Sequence, residues 1–214
     1  MAISKANFNS FNVTPTASKF ITFNSSNNGL AADDVGGSLV LISTQTASSS
    51  SSLSFTSGID STYKEYIFKF INCHPSASSY FSFNMSADSG SNYNVTKTST
   101  FFYGLHFENA GTAQIDYDSG RDLAQGTGIA NLSAYQSADN ADDCISGTLH
   151  LFDPSNTTSV KHFVAQASGV ITNPGNTNNF TAGYGNTTSA INAVQFSFSS
   201  GNIDSGVIKL YGVN

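Results

Sequence analysis

Residues 63–73, "YKEYIFKFINC", decide the fold. Tyr66, Phe68 and Phe70 fall at every second position, and Ile67, Ile71 and Cys73 lie among the alternate ones. A period of two sends successive side chains to opposite faces of a strand. A run that is apolar on both faces belongs in the middle of a sheet rather than at its edge. Pro75 ends the run, because it has no N–H for a ladder.

The same alternation recurs on either side. Residues 38–46, "SLVLISTQT", read as a mostly buried strand, and 48–58, "SSSSSLSFTSG", place Leu53 and Phe55 on one face. "YFSFNMS" (80–86) points Phe81, Phe83 and Met85 inward, and "STFFYGLHFEN" (99–109) is again apolar on both faces. "ISGTLHLFDPSNTTSVKHFVAQ" (145–166) reads as a hairpin about a Pro-Ser-Asn turn. "NPGNTNN" (173–179) reads as a flexible loop and "FTAGY" (180–184) as a short strand. A closing hairpin is expected to pair Val194, Phe196 and Phe198 with the run from Val207 to Tyr211. Residues 114–143 suggest long loops around a short strand near residues 129–132.

No segment keeps an i, i+3, i+4, i+7 pattern over three turns. Roughly ten short strands separated by Gly- and Asn-rich turns argue an all-β fold, an antiparallel jelly-roll-like β-sandwich. Its expected core includes Leu39, Leu41, Phe68, Phe70, Phe83, Leu149, Phe196, Phe198, Ile208 and Leu210. The sandwich is expected over residues 37–214. Residues 1–36 read as an N-terminal arm, with Phe8, Phe11, Phe20 and Phe23 spaced among Asn, Ser and Thr and no strict strand period. Such Phe residues need another surface to bury them, so the arm is expected to anchor the protein to a partner.

Composition narrows the function. Only 10% of the 214 residues are charged, against roughly 25% in an average soluble domain, so Ser, Thr and Asn carry solubility. The net charge of −6 and the 8 basic residues supply no basic stripe for nucleic acid. No apolar run is long enough to span a bilayer as a helix, so membrane insertion is not expected. "MAISKANFNSFNVTPTASKF" has no apolar signal core, which suggests a chain made in a cytoplasm, with Cys73 and Cys144 as reduced thiols.

A catalytic constellation is hard to assemble from these residues. His74, His106, His150 and His162 form no metal-ligand spacing, though His150 and His162 flank one turn. Asp116 with Asp118, and Asp139 with Asp142 and Asp143, are paired carboxylates in loop-like sequence, and "DYDSGRD" (116–122) has closely spaced oxygens of the kind calcium takes. GxSxG and the phosphate-loop and dinucleotide fingerprints are absent. The reading is of a non-enzymatic protein that needs no cofactor. Tyr93, Tyr117, Tyr135 and Tyr184 are candidate glycan- or receptor-facing aromatics, since tyrosines in loops stack on pyranose faces. A carbohydrate-binding module is thus the alternative to a structural part.

Several phrases resemble a group of small structural proteins of tailed bacteriophages, particularly those of marine bacteria. They are "GSLVLISTQTASSSSSLSFTSGIDSTYKEYIFKFINCHP", "VTKTSTFFY", "SGTLHLFDPSNTTSVKHF" and "NTTSAINAVQFSFSSGNIDSGVIKLYG", with "SGVIKLYG" the most typical. The resemblance implies a virion protein with a β-sandwich, often a homotrimer, displayed on a tail fibre, a baseplate or the head. It implies contacts with other virion proteins through the arm and with a host surface glycan. It carries no active-site residues.

Overall fold

The computed structural model describes residues 19–23, 30–34, 38–135, 137 and 140–214. The chain divides into two compact units, Met1–Ser38 and Leu39–Asn214. In the first, Lys19–Phe23 (β1) pairs antiparallel with Leu30–Asp34 (β2), so a hairpin stands where the sequence shows no strand period. Phe20 and Phe23 lie in β1; Phe8 and Phe11 fall outside the described residues.

The second unit is an antiparallel β-sandwich. Its larger sheet runs in the order β3 (Leu39–Thr46), β15 (Ile203–Val213), β5 (Glu65–Pro75), β11 (Ile145–Phe152), β12 (Lys161–Val170), β13 (Gly175–Gly185), β7 (Lys97–Phe107) and β8 (Ala113–Tyr117). β9 (Leu123–Gly126) also pairs with β7, which makes nine strands. The smaller sheet has four: β10 (Ala130–Asn131), β6 (Phe81–Ser86), β14 (Ala193–Phe198) and β4 (Leu53–Phe55).

The two layers meet around one ring. Phe196, on a central strand of the small sheet, lies 5.3 Å from Phe68 and 6.2 Å from Phe70 across the core. It also touches Phe55, Phe81 and Phe83 of its own sheet. All six are buried, and their tilted and edge-on contacts suit the ring quadrupole. Ile208, Leu210, Leu149 and Phe163 extend this core beneath the large sheet.

Four expectations need correction. Phe198 and Leu210 do not share a hairpin: β14 belongs to the small sheet and β15 to the large one, so the chain crosses between layers after Phe198. Leu39 and Leu41 are exposed, because β3 is an edge strand and these two positions pair with Val213 and Tyr211 on the face turned away from the small sheet. Cys73 is buried on the same side as Phe68 and Phe70. Asn72 takes a left-handed φ of 49°, and β5 spends three steps from Phe70 to Cys73 where β11 spends two from Gly147 to Ile145. That bulge reverses the alternation. Finally, "NPGNTNN" is no flexible loop, since it supplies the first half of β13.

β13 is unusual in what it buries. Its inward positions are Thr177, Asn179 and Thr181, all buried. The chain after β10 covers them: Asn179 Oδ1 accepts from Ala134 N at 2.8 Å, and Thr181 Oγ1 donates to Asn131 O at 2.9 Å. An irregular cover has backbone groups to satisfy, and polar strand residues satisfy them. Gly212, in the "SGVIKLYG" phrase, is fixed by space: a Cβ there would lie 2.2 Å from the Tyr63 ring.

Phe196→Ala should lower stability by about 3–5 kcal/mol, since it opens a cavity at the meeting point of both sheets. Val164→Thr, at an exposed position outside that core, should change it by less than about 0.5 kcal/mol. Urea denaturation of the two variants checks both values.

Candidate functional site

The large sheet has one face on the core and one turned away from it. Among the described residues, all eight exposed large hydrophobics lie on this outer face: Leu39 and Leu41 on β3, Ile71 on β5, Phe152 on β11, Val164 on β12, Phe102 on β7, and Ile115 and Tyr117 on β8. Register explains the set. Central strands are buried at the positions that alternate with these, as in β12, where Phe163, Ala165 and Ala167 are buried and Val164 is 48% exposed.

Cross-strand pairing sorts the face into two halves. Toward the β3 edge, Leu39 lies opposite Val213, Leu41 opposite Tyr211, and Tyr211 opposite Ile67, giving a continuous apolar patch. Toward the β8 edge, Tyr117 lies opposite Phe102 and Phe102 opposite Phe180, with the two Phe rings stacked at 4.8 Å and 10°. One row further along, Ile115, Gly104 and Asn178 are paired, and beyond them Ala113, His106 and Asn176. The β8 half holds a depression of about 600 Å³ centred on Gly104.

The four candidate tyrosines do not converge. Tyr117 and Tyr184 belong to the outer face, where Tyr117 donates to Asp122 Oδ2 at 2.5 Å and Tyr184 meets the His162 ring edge-on. Tyr135 instead packs against the inner side of β7, with its hydroxyl 3.1 Å from that of Tyr103. That hydrogen bond, with burial, pushes its phenol up to about 12. The Tyr93 hydroxyl is buried with no hydrogen-bond partner among the described residues. Phe102, Gly104, Ile115 and Asn178 were not singled out by sequence. The available signal was a glycine inside an aromatic strand, which marks an opening in a sheet surface.

The acidic loops are occupied by their own donors. Asp118 Oδ1 accepts from Gly120 N at 2.9 Å, and Asp143 Oδ2 accepts from Asn140 Nδ2 at 2.7 Å; Asp139 lies outside the described residues. Arg121 lies 3.6 Å over the Tyr80 ring, a cation–π contact that ties this loop to the sandwich. No three His, Cys, Asp or Glu among the described residues are placed to hold a metal ion. His150 and His162 both lie on the outer face, but each has its own partner: His150 Nδ1 is 2.6 Å from Glu65 Oε1. Both cysteines are free, and burial pushes the Cys73 thiol up to about 12, which makes it a poor nucleophile.

Two lysines are buried at one end of the core. Lys161 on β12 and Lys97 on β7 flank Gly185 on β13, and both are fully buried. Lys97 Nζ donates to Asn84 Oδ1 at 2.6 Å and to Val95 O at 2.7 Å. Asn84 Nδ2 in turn donates to Tyr93 O at 2.6 Å and Thr127 O at 3.3 Å. This node fastens two loops to the sandwich end. Asn84 Oδ1 and Val95 O are neutral acceptors, and burial lowers the ammonium's pKa to about 8. Lys161 Nζ donates to Ser159 O at 2.6 Å, and burial lowers its pKa as well.

Compared with known proteins, the chain matches no family model, no curated protein and no solved structure. No helix among the described residues is long and apolar enough to cross a membrane.

The Lys97 node has a pH signature. Lys97 holds its proton less tightly in the fold than its ordinary value of 10.5, so between pH 8 and 10.5 the unfolded chain binds more protons. Stability from this residue therefore rises with pH across that window. Relative to Lys97→Met, which cannot titrate, the wild type should gain about 2 kcal/mol between pH 7 and pH 10. Paired urea titrations at the two pH values read the difference directly and cancel the opposing titrations of Tyr66 and Cys73. A constant difference between the two proteins would mean that Lys97 keeps its ordinary affinity for a proton.

Proposed function

We propose that this protein is a non-enzymatic structural component of a tailed-bacteriophage particle, displayed on the particle surface as a homotrimer and held there by residues 1–36. The observation that carries the reading is the segregation of every exposed large hydrophobic, among the described residues, onto one sheet face. Contiguous apolar patches of that kind usually mark interfaces. The Leu39–Val213, Leu41–Tyr211–Ile67 patch is the assembly surface in this reading, with Ile71 and Phe152 at its margin. A cyclic trimer brings the same patch of each copy to its three-fold axis, with different parts of that patch meeting at each contact.

Two further features support it. A chain with few charges avoids the repulsion that single-sign surfaces would suffer when crowded on a particle. The phrases that resemble small phage structural proteins include strand residues of the sandwich, from Leu39 of "SLVLISTQT" to "SGVIKLYG": Gly212 is required by the Tyr63 ring, and Leu210 fills the core. Tail fibre, baseplate and head all remain compatible with this role.

Light scattering on the full chain should give a species three times the 22.5 kDa of one copy. Leu41→Glu with Ile71→Glu should return it to a monomer that still unfolds cooperatively, at a lower melting temperature that no longer depends on concentration. A monomer at every accessible concentration, together with no clustered copies in the particle, rules the trimer out. Removing residues 1–36 should leave a folded sandwich that no longer joins virions. Normal loading of the truncated chain would place the anchor in the sandwich instead.

A further inference from the structure

We propose that the furrow around Gly104, at the β8 edge of the outer face, binds an uncharged glycan chain. The furrow has two parts. The depression over Gly104 is about 600 Å³, and a second of about 450 Å³ adjoins it across His106 and Asn176, which line both.

The chemistry of the walls selects the occupant. No Lys, Arg, Asp or Glu lines the first depression, and Glu108 is the one charged side chain lining the second. A charged ligand would find no partner in the deeper part, so the furrow fits a neutral one. Apolar surface stands on one side, where Ala113 and the 83% exposed Ile115 of β8 line the depression. Carboxamides stand on the other. Asn176 Oδ1 accepts from Ser168 Oγ at 2.8 Å, and Asn178 Oδ1 accepts from Gln166 Nε2 at 3.2 Å. With their oxygens engaged toward β12, the amides keep their N–H groups as donors for a ligand hydroxyl or ring oxygen. A ligand with an apolar C–H face and neutral hydroxyls at its rim is a pyranose, and sites of this kind combine apolar walls with a few fixed polar groups.

Position in the sheet supports the same use. The chain enters the sandwich from its N-terminal unit at Leu39 on β3, one edge of the large sheet. The furrow lies at the opposite edge, seven strand spacings or about 30 Å away. It is also separate from the apolar patch assigned to assembly. The proposal thus rests on the reading of the protein as a displayed module, but uses none of the residues of the assembly patch on β3, β15 and β5.

Gly104 makes a clean test possible. A Cβ built there meets nothing within 4 Å, so a larger side chain enters open space and fills the depression without disturbing the core. A β-branched residue also suits a strand better than glycine does. The full chain is applied to an array of uncharged and acidic oligosaccharides, maltohexaose, mannohexaose and cellohexaose among them. Binding to an uncharged member is then mapped by NMR titration. The expected result is amide shifts centred on Gly104, Ile115 and Asn176. Gly104→Val should weaken binding about tenfold or more while melting at or above the wild-type temperature, and Asn176→Ala should also weaken it. An array with no uncharged binder, binding confined to acidic glycans, unchanged affinity in Gly104→Val, or shifts centred on Tyr135 would each overturn the proposal. The oligomeric state is read separately, so failure here leaves the assembly reading intact.

Discussion

Four strands cannot cover nine. The small sheet, led by Phe196, seals the inner face of the large one from β15 to about β12, and there the core is a cluster of aromatic rings. Beyond that limit the large sheet still has an inner face to protect. The segment around Leu132, Ala134 and Tyr135 does this without forming a regular strand of its own. Its backbone groups lack ladder partners, which is why β13 buries Thr and Asn beneath it rather than Val and Ile.

Much of the sandwich was legible because alternation reports directly on one-sided burial. The β11–β12 hairpin, β6 and the buried faces of β5 and β7 follow from the sequence pattern. What alternation does not encode is which sheet a strand joins. Phe198 and Ile203 are separated by a turn short enough for a hairpin, and only the division of the core into two layers sends them apart. Nor does it encode a change of phase: the left-handed Asn72 turns Cys73 inward, and nothing in "FINC" distinguishes that bulge from a regular strand. β13 escaped because its buried positions are chosen for hydrogen bonding, so a core strand carries the composition of a loop.

The outer face was the harder part to read. An exposed Leu41 or Phe102 has the same sequence signature as a buried one, and a two-sided apolar run reads as doubly buried. Leu39 and Leu41 were assigned to the core for that reason, and the candidate tyrosines were chosen from apparent loops. Two of them lie on strands of the outer face, while Tyr93 and Tyr135 are held by the sandwich interior and its inner cover. The residues that shape the furrow come from three strands distant in sequence, β7, β8 and β13. Only pairing brings Gly104, Ile115 and Asn178 into one row.

β15 lies between β3 and β5 in the large sheet, with Leu39 paired to Val213 and Glu65 paired to the same residue. β3 has no other neighbour in that sheet, so its ladder waits for a segment made almost a full domain later. During synthesis Leu39, Leu41 and the β5 aromatics are therefore present for most of the time without their closing partner. Closing the large sheet is therefore a slow, long-range step, because such a loop costs entropy before any contact rewards it. A ribosome that stalls before Ile203 releases a chain with two unpaired strand edges and an open aromatic core, a species built to aggregate. The order in which the strands are made thus sets a quality check of its own, since only a completed chain can hide its adhesive edges.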